Sequence, residues 1–316
     1  VEAQYEVALI DNDLEMLKVS ADRGVEGASF SYANKIKEFD FDQSLFYYTK
    51  AAEQENSPAA MVEAAKCLWT SKPHKSSTFL KNAIKYKFPQ AYTLYGRYLI
   101  EQKEKKDKNS LIMSHLSNFD ENDIDLDTFD VDLNDDQESK QKVEEEAAHY
   151  YHLGASLNDP KGMLYYGLAF RDGVGVSKNY SKAHKYLKKS ADNGDVEGMV
   201  QLALFTDDEQ ESLEYFTRAA KFNADRWSDE ARYYLAMIYK DQGRYTESFQ
   251  LLEKAAKNGH EDAMFQVAVF YQNGIGVPQN DAQAMNYYAL SANSPNPKAA
   301  AQFNFALMLK KQSDQQ

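Results

Sequence analysis

The stretch GMLYYGLAFRDGVGVSKNYSKAHKYLKKSADNG, residues 162–194, holds one complete structural unit of this 316-residue chain. It opens on two small residues five apart, Gly162 and Gly167, in an apolar run of helical character. It then passes through Gly173-Val174-Gly175-Val176 into a second amphipathic segment that ends at Asn193-Gly194. Outward from this unit, the small–x–x–x–x–small pattern recurs at Ala28–Ala33, Ala60–Ala65, Ala91–Gly96, Gly198–Ala203, Ala231–Ala236, Ala263–Ala268 and Ala301–Ala306. Successive first positions lie 31 to 38 residues apart, except for one gap of 71. A period in that range marks a helical solenoid.

Between the copies lies a second amphipathic segment with an aromatic residue followed by a small one, as in Phe46 to Ala52, Tyr215 to Ala220 and Tyr288 to Ala292. Apolar residues there step by three and four, as in Phe249, Leu252, Ala255 and Ala256, which places them on one helical face. Each unit therefore reads as an A helix and a B helix. Leu14–Gly24 reads as a lone B helix, and residues 298–311 as a closing A helix. Helices cross closely only where neither carries bulk, so each small residue leaves a flat spot for a partner's Tyr, Phe or Leu. One pair cannot bury its face alone, and stacking supplies the core. The 22 Tyr and 17 Phe are expected mainly as fillers of interhelical holes, with Tyr hydroxyls at the wet edge.

Asn193-Gly194 and Asn258-Gly259 end B helices with residues that tolerate positive φ. Gly173–Val176 and Gly274–Val277 occupy the longest uninterrupted periods, so loop length and loop sequence agree. Gly-x-Gly-Val is not read as a dinucleotide cradle, because a helix precedes it and the third Gly is missing. The run from Gly167 through Asn179-Tyr180-Ser181-Lys182-Ala183 and Tyr186 to Ala191-Asp192-Asn193-Gly194 resembles the Sel1-like repeat family, a branch of the tetratricopeptide-like α-solenoids. The copy with Ala268, Tyr271, Gly274-Ile275-Gly276-Val277, Asn280-Asp281, Ala284, Tyr287-Tyr288 and Ala292 is similar to it. The resemblance implies an all-α right-handed superhelix of about eight helix pairs in a single array. It also implies an adaptor role: scaffolding of membrane-protein assembly, quality control, control of cell-wall synthesis, or bacterial host contact.

Composition narrows the function. No run approaches the roughly 20 apolar residues that span a bilayer. The net charge of −13 is concentrated, since residues 119–138 hold ten acids and no base. That distribution argues against nucleic acid as a partner. The single cysteine, Cys67, reads as a small core residue, and a reducing compartment is allowed. The chain opens on Val1, which suggests a processed product. An intracellular location is expected, in cytosol or in mitochondrial matrix after loss of a transit peptide, rather than in the ER lumen.

The 71-residue gap exceeds a repeat of roughly 34 by an insertion placed at residues 105–138, between an A helix and a B helix at Gln141–Ser156. The insertion is acidic, with apolar teeth at Phe119, Ile124, Leu126, Phe129 and Val131. Two readings stand, a disordered solvated loop and a segment that orders on a partner. A calcium loop is excluded, since Thr128 holds the obligatory Gly place and Asn134 the closing Glu place.

Chemistry is sparse. There is no Gly-x-Ser-x-Gly elbow and no phosphate-binding Gly-x-x-x-x-Gly-Lys loop. Glu146-x-x-His149 is half of a di-iron helix motif without a second half, and His149 and His152 read as a solvated face. No catalytic residue, cofactor or metal is expected. The expected partners are proteins, bound through an apolar helix or extended segment, with a place at the periphery of a membrane complex among the settings this allows. Counted from the first small residue, slots +3 and +6 of the A helices are expected to face a groove. Slot +6 runs Asn34, Lys66, Arg97, Leu168, Leu204, Met237, Val269, Leu307, and slot +3 includes Tyr165 and Tyr234. A slot that changes from polar to apolar along the array suits a ligand-facing surface with Tyr165, Leu168, Leu204, Tyr234, Met237 and Val269 as contacts. The competing reading packs these residues between repeats. The functional expectation is a non-catalytic adaptor; its alternative is a regulatory subunit that activates an enzyme such as a polysaccharide synthase or ubiquitin ligase.

Overall fold

The computed structural model describes residues 2–116, 137–223 and 226–313. Among the described residues there are seventeen helices and no strand. They are α1 (Glu2–Asp11), α2 (Leu14–Asp22), α3 (Ala28–Ile36), α4 (Phe41–Gln54), α5 (Pro58–Leu68), α6 (Pro73–Lys85), α7 (Pro89–Leu116), α8 (Gln137–Ser156) and α9 (Pro160–Asp172), followed by α10 (Tyr180–Asp192), α11 (Val196–Phe205), α12 (Glu209–Ala219), α13 (Arg226–Asp241), α14 (Tyr245–Lys257), α15 (Glu261–Asn273), α16 (Asp281–Ala292) and α17 (Ala299–Ser313). Odd numbers are A helices and even numbers are B helices. They form two compact units, residues 1–183 and residues 184–316.

The eight hexapeptides fall on the odd helices from α3 to α17. A ninth copy, Ala3–Ala8, lies on α1. Ala8 is fully buried, and the Asp13 N–H bonds its carbonyl at 3.0 Å. The segment from Leu14 is therefore a B helix with its own A partner, not a lone one.

N-caps set the phase of the repeat. Ser57, Asp159, Asp195 and His260 accept the backbone N–H of Ala60, Gly162, Gly198 and Ala263 at 3.1–3.3 Å. Each recipient is the first small residue of its hexapeptide. A cap of this kind is worth about 1 kcal/mol.

The two small residues of a copy do different jobs. The first lies on the preceding B helix: a Cβ at Gly162 would meet the backbone of Gly154 and Ala155 at 2.7–2.8 Å, and one at Gly198 would meet Ser190 Cβ at 2.9 Å. Small residues thus face small residues there, rather than the bulky fillers expected. At Gly96 the second small residue takes a ring as well as a carbonyl. A Cβ at Gly96 would come within 2.8 Å of the Tyr151 ring of the following B helix.

The A-to-B connections come in two kinds. In short ones, a serine of the B helix donates to the carbonyl of the second small residue: Ser44 to Ala33 at 3.0 Å, Ser76 to Ala65 at 2.8 Å, Ser212 to Ala203 at 2.8 Å and Ser248 to Ala236 at 2.6 Å. In the Gly-x-Gly-Val connections, Asn179 N–H bonds Phe170 O at 2.8 Å and Asn280 N–H bonds Tyr271 O at 2.9 Å. The second glycine of each has φ near +65°, and Gly276 lies against the Tyr245 backbone, where a Cβ would sit 2.6 Å from the carbonyl carbon. Only glycine combines that φ with that approach.

Tyrosines of one B helix brace the B helix before it. Tyr47 donates to Asp22 at 2.5 Å, and Tyr215 to Asp192 at 2.7 Å. The core of residues 1–183 centres on Leu17, Tyr47, Tyr48, Met61 and Leu80. In residues 184–316, Leu252, Val267 and Phe270 form one cluster, and Ala268, Tyr288 and Met308 form another. Complete burial of such side chains contributes about 1.5–3 kcal/mol each.

Arg232 is the exception in the core. It is fully buried at a position where four other A helices carry Met, and α3, α7 and α17 carry Ser, Tyr and Gln. Its guanidinium donates to Ala220 O at 3.0 Å, to Ser228 Oγ at 3.3 Å, and to Phe222 O and Asp229. Asn258 also holds Asp229, at 2.9 Å. This cluster ties down the α12–α13 connection, which lacks the Asn-Gly of its neighbours.

Cys67 is half-buried at the edge of the core, not within it. Residues 105–116, assigned above to the insertion, continue α7, and α8 begins at Gln137, ahead of Gln141. Lys103 pairs with Glu144 at 2.5 Å and Lys140 with Asp107 at 2.6 Å, joining the two extended helices.

Candidate functional site

Neighbouring A helices touch directly within each unit, α7 with α9 and α11 with α13. Closer approach on the A side makes that side the inner one of its unit. Slots +3 and +6 lie on these helices, one turn apart, so they form a strip along the face. All eight residues of slot +3 are half-buried. At slot +6, Lys66, Arg97, Leu204 and Leu307 are exposed, while Asn34, Leu168, Met237 and Val269 are half-buried. None of the sixteen is buried, although the flanking small residues from α3 to α15 all are.

In residues 1–183 the strip carries charge and rings. Tyr48 donates to Asn34 at 2.8 Å, and Lys66 pairs with Glu63 at 2.6 Å. The Arg97 guanidinium lies 5.2 Å from the Tyr165 ring centre and 5.9 Å from that of Trp69. Trp69 donates its indole N–H to Glu101 and meets Tyr98 edge-on at 6.1 Å. Tyr165 packs on Tyr151 at 5.4 Å, and Tyr151 is buried with its phenol pushed well above the usual range. Leu168 adds the apolar element.

In residues 184–316 slots +3 and +6 are uncharged. Tyr234 stacks on Phe216 at 5.3 Å, and burial together with nearby Glu230 raises its phenol. Leu204 is 47 % exposed, and Met237 and Val269 are half-buried. Beside the strip, His260 stacks on Tyr233 at 5.2 Å and bonds Glu230 at 3.1 Å, which lowers the Glu230 carboxyl. His260 Nδ1 accepts from Ala263, which assigns the imidazole proton to Nε2, toward Glu230.

The structure thus puts Tyr165 and Leu168 on the A face of the first unit, and Leu204, Tyr234, Met237 and Val269 on that of the second. Trp69, Tyr98 and Glu101, beside Arg97, were missed by counting only two slots. Their signal was an aromatic residue at +9 or +7, one turn beyond the strip. Phe119, Ile124, Leu126, Phe129 and Val131 lie outside the described residues. His149 and His152 are exposed, against Tyr150 and Tyr166. Among the described residues no three His, Cys, Asp or Glu converge as a metal site, and no helix is long and apolar enough to cross a membrane.

The Sel1 repeat family model matches residues 33–56, 137–159, 160–195, 204–221, 229–260 and 261–296. The crystal structure of a Sel1 repeat protein from Oxalobacter formigenes superposes with a TM-score of 0.59 at 18% identity, covering 94% of this chain and 80% of that one. Chitin synthase regulatory factor 2 of Schizosaccharomyces pombe is 26% identical over 173 residues, 49% of this chain. This chain spans only 34% of that relative's length.

Proposed function

The chain belongs to the Sel1 repeat family, and from that premise we propose that it is a non-catalytic adaptor that holds a protein client on its A-helix faces. The observation that carries this reading is the strip at slots +3 and +6. None of its residues is buried, while the flanking small residues from α3 to α15 are, and among polar side chains it presents two tyrosines, six aliphatic or Met residues and a stacked arginine. Rings and arginine are the groups that anchor protein interfaces. The uncharged strip of residues 184–316, apolar at slot +6, suits an apolar helix or extended segment. The charged strip of residues 1–183 supplies orientation, since Arg97 is already held between two rings. A client within or beside a membrane complex fits this chemistry, with the chain itself peripheral.

The test pairs cross-linking and affinity purification from native cells with the Met237→Glu variant. The expected result is one dominant client whose affinity falls by about 2 kcal/mol in the variant. Stability should fall by less than about 1 kcal/mol. Unfolding of Met237→Glu would make Met237 a core residue and remove it from the binding face.

A second reading is favoured by one observation, the likeness to a chitin synthase regulatory factor. In that reading the client is a polysaccharide synthase, and holding it raises its activity. Synthase assays on membranes, with and without the added protein, separate the two readings.

A further inference from the structure

The sequence holds seven arginines. Arg171, Arg218, Arg232 and Arg244 each pair with a carboxylate. Arg97 is exposed, and among the described residues its guanidinium meets the Trp69 and Tyr165 rings but makes no hydrogen bond and no ion pair. Its whole fork of N–H donors is unspent. The rings are themselves fixed. Trp69 closes α5, donates its indole N–H to Glu101 and meets Tyr98 edge-on. Tyr165 stands on α9 and packs on buried Tyr151 at 5.4 Å. Glu101, one turn beyond Arg97, is already engaged by Trp69 and by Lys105 at 2.8 Å. Burial pushes its carboxyl up, but those two bonds and the charge of Arg97 outweigh that and lower it. An arginine so placed has charge and donors ready, with little rotamer freedom left to lose. The site lies wholly within residues 69–165, so no further repeat is needed to complete it.

Resting on the adaptor reading above, we propose that Arg97 takes a side-chain carboxylate of the client, an Asp or Glu, in a two-pronged ion pair, while an apolar residue beside that acid lies on Tyr165 and Leu168. One carboxylate matches one guanidinium fork in shape and charge. A phosphate group fits less well. Readers of phosphorylated segments use clusters of arginine, whereas here a single arginine stands beside Glu101, and the extra negative charge of a phosphate would meet that carboxylate. The chain's own acidic stretch, residues 119–138, is a poorer occupant than a client. Leu116 lies roughly 28 Å beyond Arg97 along α7, at about 1.5 Å per residue. The stretch would have to run back along most of that helix to deliver an acid.

The probe is a synthetic library of C-terminally amidated dodecapeptides, selected against the 316-residue protein. Selected sequences should carry Asp or Glu beside an aromatic or aliphatic residue. Replacing that acid by its amide should weaken binding at least about tenfold on the wild type and leave it unchanged on Arg97→Gln, so the two changes are coupled. Arg97→Lys, which keeps the charge but loses the fork, should weaken binding less than Arg97→Gln does. Both variants should keep the wild-type melting temperature, since position 97 is exposed. Binding indifferent to the amide, or an acid effect that persists in Arg97→Gln, overturns the proposal and leaves the adaptor reading intact. A library without binders overturns it too, and the adaptor reading then rests on the Met237→Glu test. Binding only of peptides with a free C-terminal acid, or only of phosphoserine peptides, overturns it in favour of a terminal carboxylate or a phosphate. Binding at least about tenfold tighter to protein lacking residues 117–136 overturns it in favour of the chain's own acidic stretch.

Discussion

In the α9–α10 and α15–α16 hairpins the chain turns through Gly-Val-Gly-Val and Gly-Ile-Gly-Val, and the backbone of Asn179 or Asn280 bonds back to the A helix. In the α3–α4, α5–α6, α11–α12 and α13–α14 hairpins the turn is three or four residues long, and a serine hydroxyl makes the tie instead. The glycine-bearing turns leave Ala183 and Ala284 at the serine position, both fully buried. Helix length accounts for three of the four serine ties. Ala33, Ala65 and Ala203 lie in the last turn of their helices, where carbonyls lack intrahelical donors. Gly167 and Ala268 lie deeper in longer helices and need no outside donor, whereas Ala236 lies just as deep and takes the Ser248 hydroxyl in addition. The B-to-A links divide the same way. Asn-Gly closes α10 and α14, whereas buried Arg232 secures the link after α12. One architecture is closed by glycine-bearing backbone in some hairpins and with added serine or arginine side-chain ties in others.

The sharpest way to break the side-chain solution is Arg232→Ala. It leaves Asp229 buried without its main partner and frees two carbonyls, so it should cost about 3–5 kcal/mol in denaturant unfolding. The equivalent position holds Met in four other repeats, so Arg232→Met tests whether volume alone suffices; it should recover only part of the loss.

The backbone solution breaks at Gly276→Ala. A positive φ and the approach to Tyr245 together should cost about 2–3 kcal/mol. Gly243→Ala is the control, because Gly243 also has positive φ but nothing within 4 Å of its missing Cβ. It should cost only about 1 kcal/mol. Equal losses at the two sites would show that conformation, not contact, governs the loop.

Ser248→Ala should cost about 1 kcal/mol in thermal or denaturant unfolding. Ser44→Ala should cost somewhat more, because Ala33 O has no intrahelical donor to fall back on. The reverse order would contradict the helix-length explanation.

The smallest effect is expected at Glu211, beside the short α11–α12 turn. Burial pushes its carboxyl up, but bonds from Lys188, His184 and Thr206 outweigh that and bring it to about 2. A carboxyl depressed on folding stabilises above its unfolded pKa, near 4.5, and that contribution disappears as pH falls toward 2. Acid titration of stability should therefore steepen across this window and flatten in Glu211→Gln. After allowance for solvent screening the amplitude is about 1 kcal/mol.

Much of this fold was legible in the sequence because close helix crossing forces small residues to recur at fixed spacing. The Gly-x-Gly-Val turns were legible for a similar reason, since positive φ selects glycine. The ninth hexapeptide, Ala3–Ala8, was overlooked because the step from it to Ala28 is shorter than the period. Arg232 gave no signal, because a basic residue on a helix ordinarily reads as solvated. Of the candidate strip, the identities at slots +3 and +6 were legible but their exposure was not, since half-burial depends on how near the adjoining A helix lies. Trp69 joins the strip only because Arg97 reaches it, and Tyr98 because it packs on Trp69.

By itself the sequence determined the repeat, its helical period, its two kinds of connection and the change from charged to apolar residues along slot +6. These are local or periodic properties, imposed by φ, helix geometry and residue size. Tertiary structure alone decided what each small residue meets, where the buried arginine finds its carbonyls, and how far slots +3 and +6 stay exposed. Those outcomes depend on distances between residues far apart in the chain, and one chain's spacing carries no record of them.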